Sequence, residues 1–171
     1  MTIELFKIII PALLVFLASY LALERLLREE AARRKFESTL GTKKISTPIR
    51  LQAYERVVLY LERISPESLL IRTNQPGMTI KDLQSALLTN IRNEWEHNLS
   101  QQLYISTKAW GFVKNSKDNV IKLINVTAEK FNPNDTSIKL SHLILEKLVE
   151  MDTHPTARAV EFLKKEANEL F

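Results

Sequence analysis

The chain has 171 residues, a formal net charge of +4 and no cysteine. Without cysteine it has no disulfide, no thiolate metal site and no thiol nucleophile. The three glycines, at positions 41, 77 and 111, are too far apart to form a glycine-rich phosphate loop. Few glycines together with many Leu, Glu, Lys and Ala residues favour helices.

An unbroken apolar run, IIIPALLVFLASYLAL, occupies residues 8–23. A helix needs roughly 20 residues to cross about 30 Å of hydrocarbon, so the run predicts an N-terminal transmembrane helix within residues 1–23. The residues expected at the membrane interfaces are Lys7, Tyr20, Arg25 and Arg28. A cleaved signal peptide and a buried core helix are the alternatives, although the run continues into charged residues without a small-residue cleavage site.

The basic excess lies directly after this run. Residues 1–23 and 51–171 each sum to zero charge, whereas residues 24–50 carry +4. The positive-inside rule then predicts a single-pass protein of the cytoplasmic (inner) membrane, with its N-terminus outside and its C-terminal body in the cytoplasm. The lipid bilayer is thus an expected partner. A neutral body argues against nucleic acid as a partner, because such modules carry their basic patch on the folded domain.

Residues 24–47 are predicted to be a basic juxtamembrane stalk and linker. The stalk continues the membrane helix to about residue 37. Gly41, among small polar residues, then interrupts it. The folded body is expected to occupy residues 48–171, which is long enough to bury a core of its own.

Apolar residues recur through the body at the three- and four-residue spacing of amphipathic helices. No segment alternates with a period of two over enough residues to form a strand. The predicted fold class is therefore all-α: a transmembrane helix and charged stalk followed by a four- to five-helix bundle. The predicted helical segments are 48–64, a short turn over 65–71, 79–105, 107–131, 136–151 and 155–170.

The segment 80–131 allows two interpretations, one rod of about 50 residues or a helical hairpin. Ser106 is a candidate N-cap, with Ile105 and Trp110 at the two positions of a hydrophobic staple. Thr79 with Asp82 resembles a capping box at the start of the segment. These signals favour the hairpin.

A polar stripe in NIRNEWEHNLSQQ, residues 90–102, is the best candidate for a functional surface. Its members are Asn90, Glu94, His97 and Gln101. They lie opposite the apolar stripe of Ile91, Trp95 and Leu99, if the helix is regular. The stripe fits a contact surface for another helix, and it equally fits a solvated face without a partner.

Glu94 and His97 also form a Glu-x-x-His pair, as found in di-iron helical bundles. Such sites need a second copy of the pair, and neither His142 nor His154 has a glutamate three residues before it. We therefore expect no metal, no cofactor and no catalytic residues. The chain is predicted not to be an enzyme.

Two stretches are similar to those of a known family: RLQAYERVVLYLERISP, residues 50–66, and EHNLSQQ, residues 96–102. They resemble an uncharacterised family of short bacterial single-pass membrane proteins with a cytoplasmic helical domain. The resemblance covers nearly the whole chain and implies this architecture. It implies no activity, ligand or site residue.

Together these features predict a membrane-anchored helical interaction or scaffold protein without catalytic activity. Its partner would be another protein or a second copy of the chain. A subunit of a larger envelope complex is the first alternative. A metal-binding helical-bundle enzyme that uses Glu94 and His97 is the second.

Overall fold

A computed structural model describes residues 16–17, 19–21, 23–30 and 47–170 of the chain. These residues are helical apart from short turns, loops and one isolated antiparallel bridge between Thr79 and Thr136. No strand occurs within the described ranges. The predicted all-α fold is confirmed for this part of the chain.

The N-terminal unit comprises residues 1–46. Most of the predicted anchor, including Lys7, lies outside the described residues, as does the predicted linker around Gly41. Tyr20 and Arg25 are helical and exposed, and Arg28 Nη2 lies 2.6 Å from Glu24 Oε1. No helix that the described residues form combines the length and the apolar character needed to cross a bilayer.

The second unit, residues 47–171, is the helical body. Within residues 47–170 its helices are α1 (47–63), α2 (Pro66–Thr73), α3 (Ile80–Asn98), α4 (Thr107–Ala128), α5 (Ser137–Glu150) and α6 (Ala157–Leu170). A 3₁₀ helix, Leu99–Leu103, follows α3.

The body thus has six α-helices within residues 47–170, where four to five were predicted. The additional one is α2, which was expected to be only a short turn. Pro66 occupies its first turn, where a missing N–H costs little, and Glu67 and Arg72 complement the helix dipole at its two ends. Leu69 and Leu70 are buried and hold α2 to the rest of the body.

The local signals at the helix starts are borne out. Thr79 and Asp82 form a reciprocal capping box at the start of α3. Ser106 Oγ accepts a hydrogen bond from the Ala109 N–H at the start of α4, at 3.0 Å. Residues 80–131 therefore form two separate helices, α3 and α4, that pack against each other, which confirms the predicted hairpin.

The core draws on all six helices, and α4 packs against α3, α5 and α6. The largest fully buried side chains within residues 47–170 include Tyr54, Tyr60, Leu61, Ile64, Leu69, Ile80, Leu83, Leu87, Ile91, Ile124, Leu140 and Ile144. Leu99, placed on the apolar stripe of α3 by its spacing, is instead exposed. Leu99 opens the 3₁₀ helix, where the spacing of an α-helix no longer holds.

One polar cluster joins three helices of the body. We call it the Glu166 clasp, formed by Tyr54 of α1, Ser106 at the start of α4 and Glu166 of α6. Tyr54 Oη donates to Glu166 Oε1 at 2.5 Å, and Ser106 Oγ donates to Glu166 Oε2 at 2.8 Å. Burial, followed by the hydrogen bond to Glu166, raises the pKa of Tyr54 to about 12. The clasp therefore satisfies a buried hydroxyl with a charged acceptor.

Candidate functional site

A groove on the surface of the body lies between α1, α2 and α3, and its volume is about 770 Å³. We call it the arginine groove. Its volume falls within the roughly 300–1,000 Å³ that is usual for ligand sites. It is lined by Arg56, Leu59, Tyr60, Arg63, Arg72, Asn90, Asn93, Glu94, His97 and Asn98.

Helical spacing explains why these residues meet. Arg56, Tyr60 and Arg63 follow one another at four- and three-residue intervals on α1, so they share one face. The polar residues of α3 between positions 90 and 98 repeat in the same way. Arg72 enters from the last turn of α2, which packs against α3. The site therefore depends on three helices from separate parts of the sequence.

Among the described residues that line the groove, Glu94 is the only carboxylate. Its Oε1 lies 2.7 Å from Arg63 Nη2 and 3.8 Å from Arg72 Nη1. Arg72 Nη2 also donates to the main-chain oxygen of Arg63 at 2.6 Å. The two guanidinium groups are thereby fixed beside one carboxylate, with both arginine side chains still partly exposed. Partly exposed pairs of this kind add little to stability, so they position charge more than they hold the fold.

Two of the amide side chains of the groove already form hydrogen bonds within the protein. Asn90 Nδ2 donates to Thr73 Oγ1 at 2.9 Å and thus links α3 to α2. Asn98 Nδ2 donates to the Glu94 carbonyl at 2.8 Å. His97 Nδ1 lies 2.6 Å from the Asn93 carbonyl, which can only accept, so this nitrogen carries the proton. No hydrogen bond joins Nε2 of the same ring to another of the described residues.

Tyr60 forms a buried part of the groove lining, with an exposed fraction of 1%. Its hydroxyl is buried and has no hydrogen-bond partner among the described residues. Burial, with the negative charges of Asp118 and Glu94, raises the pKa of this hydroxyl well above its ordinary value. The hydroxyl therefore remains protonated, and it is a donor without an acceptor in the part of the chain that the structure describes.

Aromatic packing holds the Tyr60 ring in place. Its centroid lies 5.9 Å from that of Trp95, which stacks on Trp110 at 4.8 Å. Lys117 Nζ lies 4.4 Å from the Trp95 ring centroid. Trp95 and Trp110 are the two tryptophans of the chain, so tryptophan fluorescence reports on the surroundings of Tyr60.

The structure changes the predicted polar stripe. Asn90, Glu94 and His97 line the groove, but Gln101 does not. Gln101 is buried, and its Nε2 donates to Ser100 Oγ at 3.3 Å. The prediction that it continues the stripe is wrong because the chain passes into the 3₁₀ helix at Leu99, where each residue turns by about 120° instead of about 100°.

The predicted face is also less solvated than expected. Asn90 and Glu94 are half-buried, and only His97 is exposed. No group of three or more His, Asp or Glu side chains suited to a metal occurs in the described ranges. Glu94 is instead paired with arginines.

The sequence pattern did not single out Arg56, Arg63 or Arg72. The seven-residue interval between Arg56 and Arg63, with Tyr60 between them, was a local signal that they share one face. Nothing local indicated that Glu94, some thirty residues further along the chain, would lie against Arg63.

The chain matches a family over residues 1–170, and that family is described as a family of unknown function (DUF7935). The chain belongs to this family. No curated protein and no solved structure matches it. The expected membership in an uncharacterised family is thus confirmed, and the match assigns no activity, ligand or partner.

Proposed function

We propose that the chain is a membrane-tethered interaction module whose helical body contacts a protein partner through the arginine groove. One observation carries this proposal: three of the four residues predicted as an interaction face meet three arginines in a single groove. Arginine is enriched where proteins contact each other, because its guanidinium group supplies several donors in a fixed geometry.

The membrane tether is supported by the sequence alone. Residues 8–23 are uncharged, and the basic excess over residues 24–50 follows them directly. A tether of this kind limits the body to partners at the cytoplasmic face of the membrane. The partner can be another protein or a second copy of this chain.

The tether is tested by alkaline extraction of membranes from cells that express the full chain. The protein is expected to stay in the membrane pellet. A variant with Leu13→Arg and Leu14→Arg should move to the supernatant, because charge at the centre of a span costs several kcal/mol. Release of the unmodified chain by alkali would contradict the tether.

The groove is tested by photocrosslinking in cells. A photoreactive phenylalanine analogue replaces Asn93, an exposed residue of the groove. The same analogue replaces Asn168, an exposed asparagine of α6 that does not line the groove, as the matched control. We expect a discrete adduct from position 93 that position 168 does not give. Its mass distinguishes a second copy from another protein. No adduct at position 93, or the same adducts at both positions, would refute the groove as the contact surface.

A further inference from the structure

Arg56 carries a charge that has no partner in the described part of the protein. It is exposed, and within residues 47–170 no ion pair or hydrogen bond joins it to another residue. Arg63 and Arg72, by contrast, both face Glu94. The described residues that line the groove include three arginines and one glutamate, and these four side chains carry a surplus of two positive charges. The surplus favours an anionic ligand, and Arg56 is the cation available to pair with it.

The Tyr60 hydroxyl supplies a second unused group. Buried polar groups nearly always have a hydrogen-bond partner, and an exception needs an explanation. The Tyr60 hydroxyl has no partner in the described part of the chain, and its residue lines the groove. The hydroxyl is closed off from the surface, so a ligand atom in the groove completes this bond only if the side chains around Tyr60 shift to admit it.

The acceptor for Tyr60 is expected to be neutral. Asp118 and Glu94 are the two charged groups that act on the hydroxyl, and both are negative. They disfavour an anion at that atom, but they do not disfavour an uncharged oxygen such as a peptide carbonyl. A ligand that matches the groove therefore has a carboxylate near Arg56 and a neutral oxygen near Tyr60.

The remaining lining fits a peptide better than a small inorganic anion. Asn93 presents an exposed amide, which can both donate to and accept from a main chain. Leu59 lines the same groove with 57% of its surface exposed and can contact an apolar side chain. Phosphate would use the arginines and would leave Tyr60, Asn93 and Leu59 without a role.

We propose that the arginine groove binds an acidic peptide segment, with Arg56 pairing with a carboxylate and Tyr60 Oη donating to a main-chain carbonyl. This inference rests on the proposed function, because the segment would belong to the protein partner. Glu94 is then an internal competitor, since its carboxylate holds Arg63 and Arg72 in the free protein.

The test uses the full chain in a mild non-ionic detergent and a short fluorescein-labelled peptide of alternating glutamate and alanine. Binding is followed by fluorescence anisotropy. Arg56→Gln should weaken binding roughly tenfold, the effect of losing one charge-assisted hydrogen bond. Tyr60→Phe should weaken it roughly threefold to tenfold through the loss of a neutral hydrogen bond. Glu94→Gln should strengthen it, because the internal competitor is removed.

Arg158→Gln is the matched control, since Arg158 is an exposed helical arginine that does not line the groove. It should bind the peptide as the unmodified chain does, and a lysine–alanine peptide should not bind. Inorganic triphosphate should compete weakly, and its competition should not depend on the Tyr60 hydroxyl. Thermal unfolding of each variant shows whether the body is intact.

The proposal is overturned if the peptide does not bind, if Arg56→Gln and Tyr60→Phe match the control, or if triphosphate binds more tightly than the peptide. The two levels of inference remain distinguishable. An adduct at position 93 without peptide binding would keep the groove as a contact surface and reject the acidic peptide. No adduct at position 93 would reject the contact surface itself.

Discussion

Two tyrosines of α1 are buried to nearly the same extent, yet their hydroxyl groups differ. Tyr54 is 2% exposed and donates to Glu166 in the clasp between α1, α4 and α6. Tyr60 is 1% exposed and has no partner in the described part of the protein. The Tyr54 hydroxyl therefore stabilises the fold, whereas a buried hydroxyl without a partner, like that of Tyr60, lowers the free energy of unfolding. The proposed contact with a partner rests on this second kind of hydroxyl, because a buried polar group without a hydrogen bond needs an explanation.

The largest effect is expected when the clasp loses its acceptor. Glu166→Ala removes both carboxylate bonds, so the Tyr54 and Ser106 hydroxyls lose a charged partner. Hydrogen bonds to charged groups contribute about 1.5–3 kcal/mol each, so we expect a loss of about 3 kcal/mol in the free energy of unfolding. Urea unfolding of the full chain in detergent, followed by tryptophan fluorescence, measures it. Glu161→Ala, an exposed site on the same helix, should change stability by no more than about 0.5 kcal/mol. A similar loss in both variants would contradict the role of the clasp.

A smaller loss is expected for Tyr54→Phe. This change removes one bond of the clasp and leaves the bond from Ser106 to Glu166 in place. The same urea titration should give a destabilisation of about 1–2 kcal/mol.

The dependence of the free energy of unfolding on alkaline pH gives a second measurement of the same bond. The folded pKa of Tyr54 is raised to about 12, so its contribution is present below the ordinary value of 10.0 and is lost as the pH rises through 12. Tyr54→Phe should lack this part of the alkaline loss.

Tyr60→Phe should change the free energy of unfolding in the opposite direction. It removes a buried hydroxyl that makes no hydrogen bond with the described residues, so nothing is lost in the free protein. Leaving such a group unsatisfied costs about 1–3 kcal/mol, and we expect a gain of about 1 kcal/mol or no change. The urea midpoint, compared with that of Tyr54→Phe, measures the difference. A loss comparable to that of Tyr54→Phe would show that the Tyr60 hydroxyl serves the fold.

The smallest effect concerns the capping box, which is a local feature away from both tyrosines. Asp82 accepts hydrogen bonds from Thr79 Oγ1 at 2.7 Å and from the Thr79 N–H at 3.1 Å, and these lower its pKa below the ordinary 3.8. Because the folded pKa is depressed, the stabilisation is present above the unfolded value and is lost as the pH falls through the folded value. Asp82→Asn should remove this acid dependence from the urea midpoint. Asp152→Asn, at an exposed loop position, should retain it.

The features that could be predicted from the sequence are those set by local chemistry. The capping box at Thr79, the N-cap at Ser106 and the hairpin between α3 and α4 depend on neighbouring residues. Most of the apolar stripes were also placed correctly, because helical spacing decides which side chains face the core. Residues 65–71 were predicted to form only a short turn, whereas α2 covers Pro66–Thr73.

The groove could be predicted only in part. Asn90, Glu94 and His97 were found because they share one face of α3. Gln101 was misplaced because the change to a 3₁₀ helix has no clear local signal. The pairing of Arg63 with Glu94 depends on how α1 packs against α3. This packing cannot be predicted from the sequence of either helix alone. The missing partner of Tyr60 can be seen only after its whole surroundings have been assembled.

The most direct test of this account measures binding and stability together for Tyr60→Phe. The photocrosslinker at position 93 is introduced in cells into the unmodified chain and into Tyr60→Phe, and the urea midpoint of each purified protein is determined. We predict that the yield of the adduct falls while the midpoint stays the same or rises. An unchanged adduct yield, or a midpoint that falls with the yield, would contradict the assignment of Tyr60 to partner recognition.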